Sequence, residues 1–246
     1  MKFHLLASGS KGNACIIESR LSKIMIDVGS TQRYLKTRFL EMGFKRDDLD
    51  AVLLTHDHSD HIAQLNSFKH LPIYAPFELH NRGERTVVVP YEIFRINELT
   101  ILPIELSHDR EITVAYIIDD GQQKLVYLTD TGYVRNQDLI HLTNADYYII
   151  EANYDPELLM LTSRPYPLKQ RILSDRGHLS NDDCGWILRQ VIGDRTQEIV
   201  LAHLSEEANT PEIALSCVRS YVDTTQYQGS IVAAGQFDVV SGGRHD

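Results

Sequence analysis

Apolar positions in this chain fall into short runs separated by polar turns. Residues 2–7, 13–19 and 23–27 carry the brief apolar runs of three successive strands joined by turns. The intervening Ser8-Gly9-Ser10-Lys11-Gly12-Asn13 is rich in residues that permit tight or left-handed backbone. Over residues 31–42, Tyr34, Leu35, Phe39 and Leu40 recur at helical spacing, and Gly43 supplies a stop. Strand-like runs return at 51–55, 100–106, 113–119, 124–129, 146–151, 197–202 and 230–234. Helical spacing marks 61–70, 136–142, 155–161, 180–192 and 210–221, with Ser180 or Asn181 placed to cap the fourth of these. Strands dominate early and alternate with helices later, which predicts an α/β fold with helices covering two packed sheets. No repeat or linker interrupts the pattern, so one domain over residues 1–246 is expected.

Composition narrows the class. No apolar run approaches the ~20 residues needed to cross a bilayer, so no membrane association is expected. Met1 to Ala7 reads as a first strand rather than a signal peptide, which predicts a cytoplasmic protein. Cys15, Cys184 and Cys217 are odd in number and lack C-x-x-C spacing, so reduced thiols are expected. The net charge of −10 argues against a broad basic face for nucleic acid. Two divalent cations at one spot would add four positive charges there and leave an acidic shell around a positive cleft.

The chemistry is concentrated in Thr55-His56-Asp57-His58-Ser59-Asp60-His61, where three of the eleven histidines fall just after an apolar strand. Side chains at i and i+2 of an extended segment point the same way, so His56 and His58 converge on one ion. Asp60 and His61 diverge from each other at a helix start and serve a neighbouring ion. Imidazole and carboxylate together suit Zn²⁺, Mn²⁺ or Fe²⁺.

This H-x-H-x-D-H pattern resembles the signature of the metallo-β-lactamase superfamily, which implies an αββα sandwich of two mixed sheets flanked by helices. The remaining motifs of that superfamily occur in order. Asp27 in Ile24 to Gly29 resembles its early aspartate, which braces the metal loop. His108, Asp130 in Leu128-Thr129-Asp130-Thr131-Gly132, and His203 in Leu201-Ala202-His203-Leu204-Ser205 resemble its later ligands. Each of the three lies just past an apolar strand, as His56 does, so strands sharing a sheet edge would bring them together. The resemblance implies two metal ions: His56, His58 and His108 on one, Asp60, His61 and His203 on the other, and Asp130 bridging both.

Longer stretches, Leu6 to Asn13, Leu128 to Val134, Ile150 to Asp155, Leu168 to Ile172, Gly177 to Asn181 and Leu201 to Pro211, resemble the YycJ/WalJ family of bacteria. Tyr154 stands where that family usually has histidine. The resemblance implies a metal-dependent 5′-exonuclease on double-stranded DNA with a link to repair, whose partner is the 5′ end of a duplex. A hydroxide bridging the two metals would be the nucleophile. Asp130 and Asp60 then belong to the catalytic centre as well as to the metal set. His178, whose Gly-His-Leu-Ser setting resembles the non-ligand histidine motif of tRNase Z, is expected to protonate the leaving oxygen; the alternative is a histidine that only packs at a helix start. Lys169, Arg171 and Arg176 form a basic stretch suited to phosphate contacts or to a solvated helix face. Ser10, Lys11 and Asn13 in the first turn are placed to cradle a terminal phosphate or simply to form a turn. Lacking a clamp domain or basic arm, the chain suits an end-acting enzyme. A hydrolase of small phosphodiesters, thioesters or lactones with the same metal site is the alternative activity, and a metal-holding binding protein the non-enzymatic one.

Overall fold

The computed structural model describes residues 1–79 and 84–244. Its first sheet contains β1 (Lys2–Ala7), β2 (Ala14–Glu18), β3 (Lys23–Ile26), β4 (Ala51–Leu53), β5 (Ile73–Ala75), β6 (Thr86–Val87) and β14 (Val240–Gly243), in the order β14-β1-β2-β3-β4-β5-β6. The second contains β7 (Phe94–Ile96), β8 (Leu99–Leu106), β9 (Thr113–Asp119), β10 (Lys124–Leu128), β11 (Tyr147–Glu151), β12 (Glu198–Ala202) and β13 (Ser230–Ala233), in the order β13-β12-β11-β10-β9-β8-β7. Both sheets are mixed. Pairing is antiparallel from β14 to β3 and from β7 to β10, and parallel from β3 to β6 and from β10 to β13.

The two-residue strand period sorts the side chains into layers. In β10 and β11, Leu125, Tyr127, Tyr147 and Ile149 face the other sheet, where Phe3, Leu5, Ile17, Ile24 and Leu53 meet them. The alternate residues Val126, Leu128, Tyr148 and Ile150 face outward into a second core. That core is closed by α3 (Leu139–Leu142), α6 (Asn181–Val191) and α7 (Pro211–Val222). The outer face of the first sheet packs Ile16, Met25 and Val52 against Leu35 and Phe39 of α1 (Gln32–Glu41). The result is helix, sheet, sheet, helix, the predicted αββα sandwich.

Local chemistry explains the helix ends near the site. Ser180 caps α6, its Oγ accepting from Asp183 N at 3.0 Å. Cys184, Ile187, Leu188 and Val191 then form the buried i, i+3, i+4, i+7 stripe. The expected helix over 61–70 is instead α2 (Ser59–Ile62) followed by a 3₁₀ turn over Leu65–Ser67. Gln64 breaks it: its N–H donates to Val28 O and its side chain to Ser30 O, tying this segment to the loop after β3. Sequence periodicity passed over β5, β6, β7, β14, and the helix α5 (Tyr166–Ile172) that follows α4 (Pro156–Leu161). Cys15 and Cys184 are buried, Cys217 is half-buried, and all three are free thiols. Among the described residues no helix is long and apolar enough to cross a membrane.

Candidate metal centre

Strand ends deliver the site. His56 follows β4, His108 follows β8, Asp130 follows β10 and His203 follows β12. Asp27, just past β3, and Asp130 and His203 at two of these ends have left-handed backbone with φ of 56°, 63° and 55°. For a non-glycine residue this costs roughly 1–2 kcal/mol, a strain typical of sites where function fixes the chain.

The expected ligands come together in the expected groups. His56, His58 and His108 can each direct one nitrogen to a common point, and so can the ligand atoms of Asp60, His61 and His203. Asp130 joins the two groups. Its Oδ2 lies 3.1 Å from His61 Nε2 and its Oδ1 3.5 Å from His203 Nδ1 and 3.9 Å from His108 Nε2.

Each ring is held by its other nitrogen or by a neighbour, which fixes its orientation. Asp27, fully buried, accepts from Thr55 N at 2.9 Å and lies 2.7 Å from His61 Nδ1, as a brace for the metal loop should. His108 Nδ1 donates to Gly177 O at 3.0 Å. His203 Nδ1 is 3.1 Å from Glu151 Oε1, and His58 Nε2 is 3.0 Å from Asp109 Oδ1. With these partners engaged, His108 Nε2 and His203 Nε2 are buried without any hydrogen-bond partner. Native proteins rarely leave such atoms orphaned, and a cation would satisfy them.

The electrostatics fit the same reading. Burial, reinforced by the neighbouring histidines, holds His56 well below the ordinary imidazole range, and burial also lowers His58 and His108. They are the neutral rings a cation requires. Burial opposes ionisation of Asp130, but His203 and His61 outweigh it and hold the carboxyl well below its usual range. Conversely, burial opposes charge on His61 and His203, yet Asp27 and Asp130 push the first up, and Asp130 and Glu151 raise the second to about 9. The carboxylates thus draw positive charge into the centre, and a bound cation would displace those protons.

His178 is 18% exposed and comes together with Asp130, Glu151 and His203 in a further group able to hold a cation, its Nδ1 2.7 Å from Glu151 Oε1 and 3.6 Å from Asp130 Oδ1. The sequence reading passed over Glu151, which is fully buried and accepts from Thr131 N at 2.9 Å. Its signal was an apolar strand ending in a carboxylate, the pattern that marks Asp27 and Asp130. Two close approaches fix this corner. A Cβ on Gly177 would lie 2.1 Å from Ile172 O, and one on Gly132 would lie 2.3 Å from Asp175 O.

A cavity of about 490 Å³ opens over the centre, lined on its outer side by Ser10, Arg164, Arg171 and Ser205. Arg164 has no sequence pattern around it and was not anticipated. Arg171 reaches the cavity while its Nη1 bonds Asp109 Oδ2 at 2.8 Å, so Asp109 joins it to His58. The other expected substrate contacts are placed differently. Lys169 is buried, its Nζ donating to Met160 O at 2.6 Å and Thr162 O at 2.8 Å, so it closes the end of α4 instead of facing solvent. Asn13 is buried, and its Nδ2 contacts two of the candidate ligands, Asp60 Oδ2 at 3.2 Å and His61 Nε2 at 2.9 Å, instead of facing the cavity. Lys11 pairs with Glu206 at 2.6 Å on the surface and does not line the cavity. The turn's amides are mostly consumed by the fold: Gly9 N bonds Asn13 Oδ1, Lys11 N bonds Gln236 Oε1 and Asn13 N bonds Asp60 O. Tyr154 is buried outside the ligand set and bridges to Ser180.

Comparison with known proteins identifies the family and the fold. Residues 23–203 match the model of the Beta-lactamase superfamily domain. The exodeoxyribonuclease WalJ of Streptococcus pneumoniae is 36% identical over 228 residues, covering 87% of this chain and 85% of that protein. The exodeoxyribonuclease YycJ of Bacillus anthracis is 33% identical over 236 residues, covering 91% and 89%. Among solved structures, the metallo-β-lactamase fold protein YhfI of Bacillus subtilis superposes with a TM-score of 0.74 at 20% identity, over 98% of this chain and 99% of that one.

Proposed function

Because the chain belongs to the β-lactamase superfamily domain family, we propose that it is a dinuclear-metal phosphodiester hydrolase, a 5′-to-3′ exonuclease on double-stranded DNA. The carrying observation is that His178, buttressed by Glu151, faces the same cavity as the two adjoining ligand groups; we assign it to proton transfer. Both relatives, named exodeoxyribonucleases and matched over most of their lengths, support the substrate class.

The donor set suits Zn²⁺, Mn²⁺ or Fe²⁺ in both groups. Held by these residues, divalent ions would lower the pKa of water and offset the charge of a phosphodiester. His178 supplies what they do not. With Nδ1 donating to Glu151, its Nε2 is the nitrogen that carries the transferable proton. Water adds to phosphorus, the P–O3′ bond breaks, and His178 gives its proton to the departing 3′-oxygen. Solvent restores that proton, and the products are a nucleoside 5′-monophosphate and a strand with a new 5′-phosphate. Ser10, Arg164 and Arg171 lie across the cavity and would hold the terminal 5′-phosphate, Arg171 with its direction set by Asp109. Such contacts position a strand without reading its sequence.

The test is digestion of an end-labelled, 5′-phosphorylated duplex with Mn²⁺ or Zn²⁺, beside an Asp130→Ala control and a bis-aryl phosphodiester. Stepwise loss from the 5′ end is expected. Turnover of the small diester alone would transfer the chemistry to small substrates, and cutting of a closed circular duplex would refute end-dependence.

A further inference from the structure

His108 separates two clefts. The cavity already described lies on the side of His178. A second cleft of about 250 Å³ is lined by His108, Arg110, Glu111, Tyr133, Arg135 and Arg176, and His178 does not reach it.

Its three arginines are not equivalent. Arg135 is committed to Asp138 at 2.8 Å and Glu105 at 3.1 Å. Arg110 pairs with Asp57 at 3.1 Å, but these side chains are 42% and 45% exposed, and a pair so exposed is weak and exchangeable. Arg176 has no carboxylate partner among the described residues. Its Nε donates to His108 O at 3.1 Å, which anchors the guanidinium and leaves both terminal nitrogens for another acceptor. Tyr133 is 42% exposed beside them.

The walls of this cleft are bound to the metal centre. Tyr133 lies three residues after Asp130, on a loop whose Gly132 packs directly on Asp175. Arg176 precedes Gly177, whose carbonyl accepts from His108 Nδ1. Arg176 therefore keeps a fixed distance from the reacting position. Guanidinium groups with an exposed aromatic ring, in a groove leading away from the scissile site, are the chemistry that holds a polynucleotide strand.

Polarity assigns the strand. This step rests on the 5′-exonuclease reading above. The departing 3′-oxygen belongs to the terminal nucleotide, so that nucleotide occupies the cavity on the His178 side. The rest of the strand must leave past His108 on the other side. We propose that the Arg110–Tyr133–Arg176 cleft holds the strand downstream of the cut. Arg176 and Arg110 take the first phosphates beyond the scissile linkage, and Tyr133 packs against the nucleotide that becomes the new 5′ end.

Substrate length tests this. A 5′-phosphorylated dinucleotide has no phosphate beyond the scissile one, whereas a strand of twenty nucleotides annealed to its complement has many. For Arg110→Ala and Arg176→Ala, the ratio of kcat/KM on the duplex to that on the dinucleotide should fall about tenfold each, whereas Tyr133→Ala, which loses a contact both substrates make, should lower kcat/KM about tenfold on both and leave the ratio unchanged. The slope of log KM against log salt on the duplex should fall by about 0.9 for each arginine removed. Arg176→Lys should recover most of the ratio. If Arg176→Ala loses bound metal, its anchor on His108 is implicated in folding, and Arg110→Ala and Tyr133→Ala decide. A wild-type enzyme that leaves the duplex intact overturns the exonuclease reading and this inference with it. A wild type that shortens the duplex, with an unchanged length ratio in the two arginine variants and an unchanged kcat/KM in Tyr133→Ala, overturns this inference alone.

Discussion

Glu151 accepts a hydrogen bond from His178 at 2.7 Å, and the same carboxylate oxygen stands 3.1 Å from His203 Nδ1. One buried anion therefore orients both a ligand ring and the ring assigned to proton transfer. The two roles separate by substitution. His178→Ala should lower kcat by roughly 10²–10⁴-fold with metal content retained. Glu151→Gln should lower kcat and also weaken metal binding about 10–100-fold, because the His203 ring loses its brace. Turnover and metal titration on the same samples distinguish them. Loss of metal from His178→Ala would make that histidine a ligand.

Asp130 contacts both ligand groups, so Asp130→Ala should release both ions and abolish activity together. The ligands come from loops on both sheets, so bound metal links one sheet to the other. Chelation should lower the Tm of the wild type and leave the Tm of Asp130→Ala unmoved. Elemental analysis with thermal melting checks both. A metal-loaded, active Asp130→Ala protein would remove Asp130 from the ligand set.

Lys169 and Arg171 lie two residues apart on α5 and should fail differently. Lys169→Ala unpairs the carbonyls of Met160 and Thr162 at the end of α4, a loss of about 1–3 kcal/mol in urea unfolding, with KM little changed. Arg171→Ala should leave stability nearly intact and raise KM for 5′-phosphorylated ends several-fold. A KM defect in Lys169→Ala equal to that of Arg171→Ala would return the lysine to the cavity.

Away from the centre, Glu98 should register in acid. Partial burial raises its carboxyl, but the hydroxyls of Ser19 and Ser22 and the amide of Leu21 outweigh that and lower it from 4.5 to about 2. Its folded pKa is depressed, so its contribution is complete above about pH 4.5 and disappears as pH falls through 2. Discounted for solvent exposure, that contribution is about 1 kcal/mol. Glu98→Gln should be less stable than the wild type by that amount at pH 7, with the gap closing near pH 2. A gap independent of pH would show that the effect is steric.

The candidate ligand set was legible because His56 to His61 is a local pattern, and because His108, Asp130 and His203 each lie just past an apolar strand. Glu151 ends such a strand too, but a single carboxylate gives no spacing to compare. Arg164 was invisible for a different reason: it acts by where α4 and α5 place it, and the two flanking elements are too short for periodicity. The same shortness hid β5, β6 and β7, and the paired glycines of β14 give no alternation. Lys169 and Asn13 were misjudged because polar residues are ordinarily exposed, and only the three-dimensional contacts show that the carbonyls closing α4 and the Asp60–His61 turn need buried donors.

The left-handed backbone at Asp27, Asp130 and His203 sets endurance against activity. Glycine adopts that conformation freely, so at these three positions the residue that relaxes the chain is also one that cannot brace or bind a metal. In a metal-poor medium, selection for heat resistance alone should draw the three positions toward glycine, and sequencing the survivors would find the most durable molecules among the inactive ones. Keeping aspartate and histidine there requires a selection that rewards turnover.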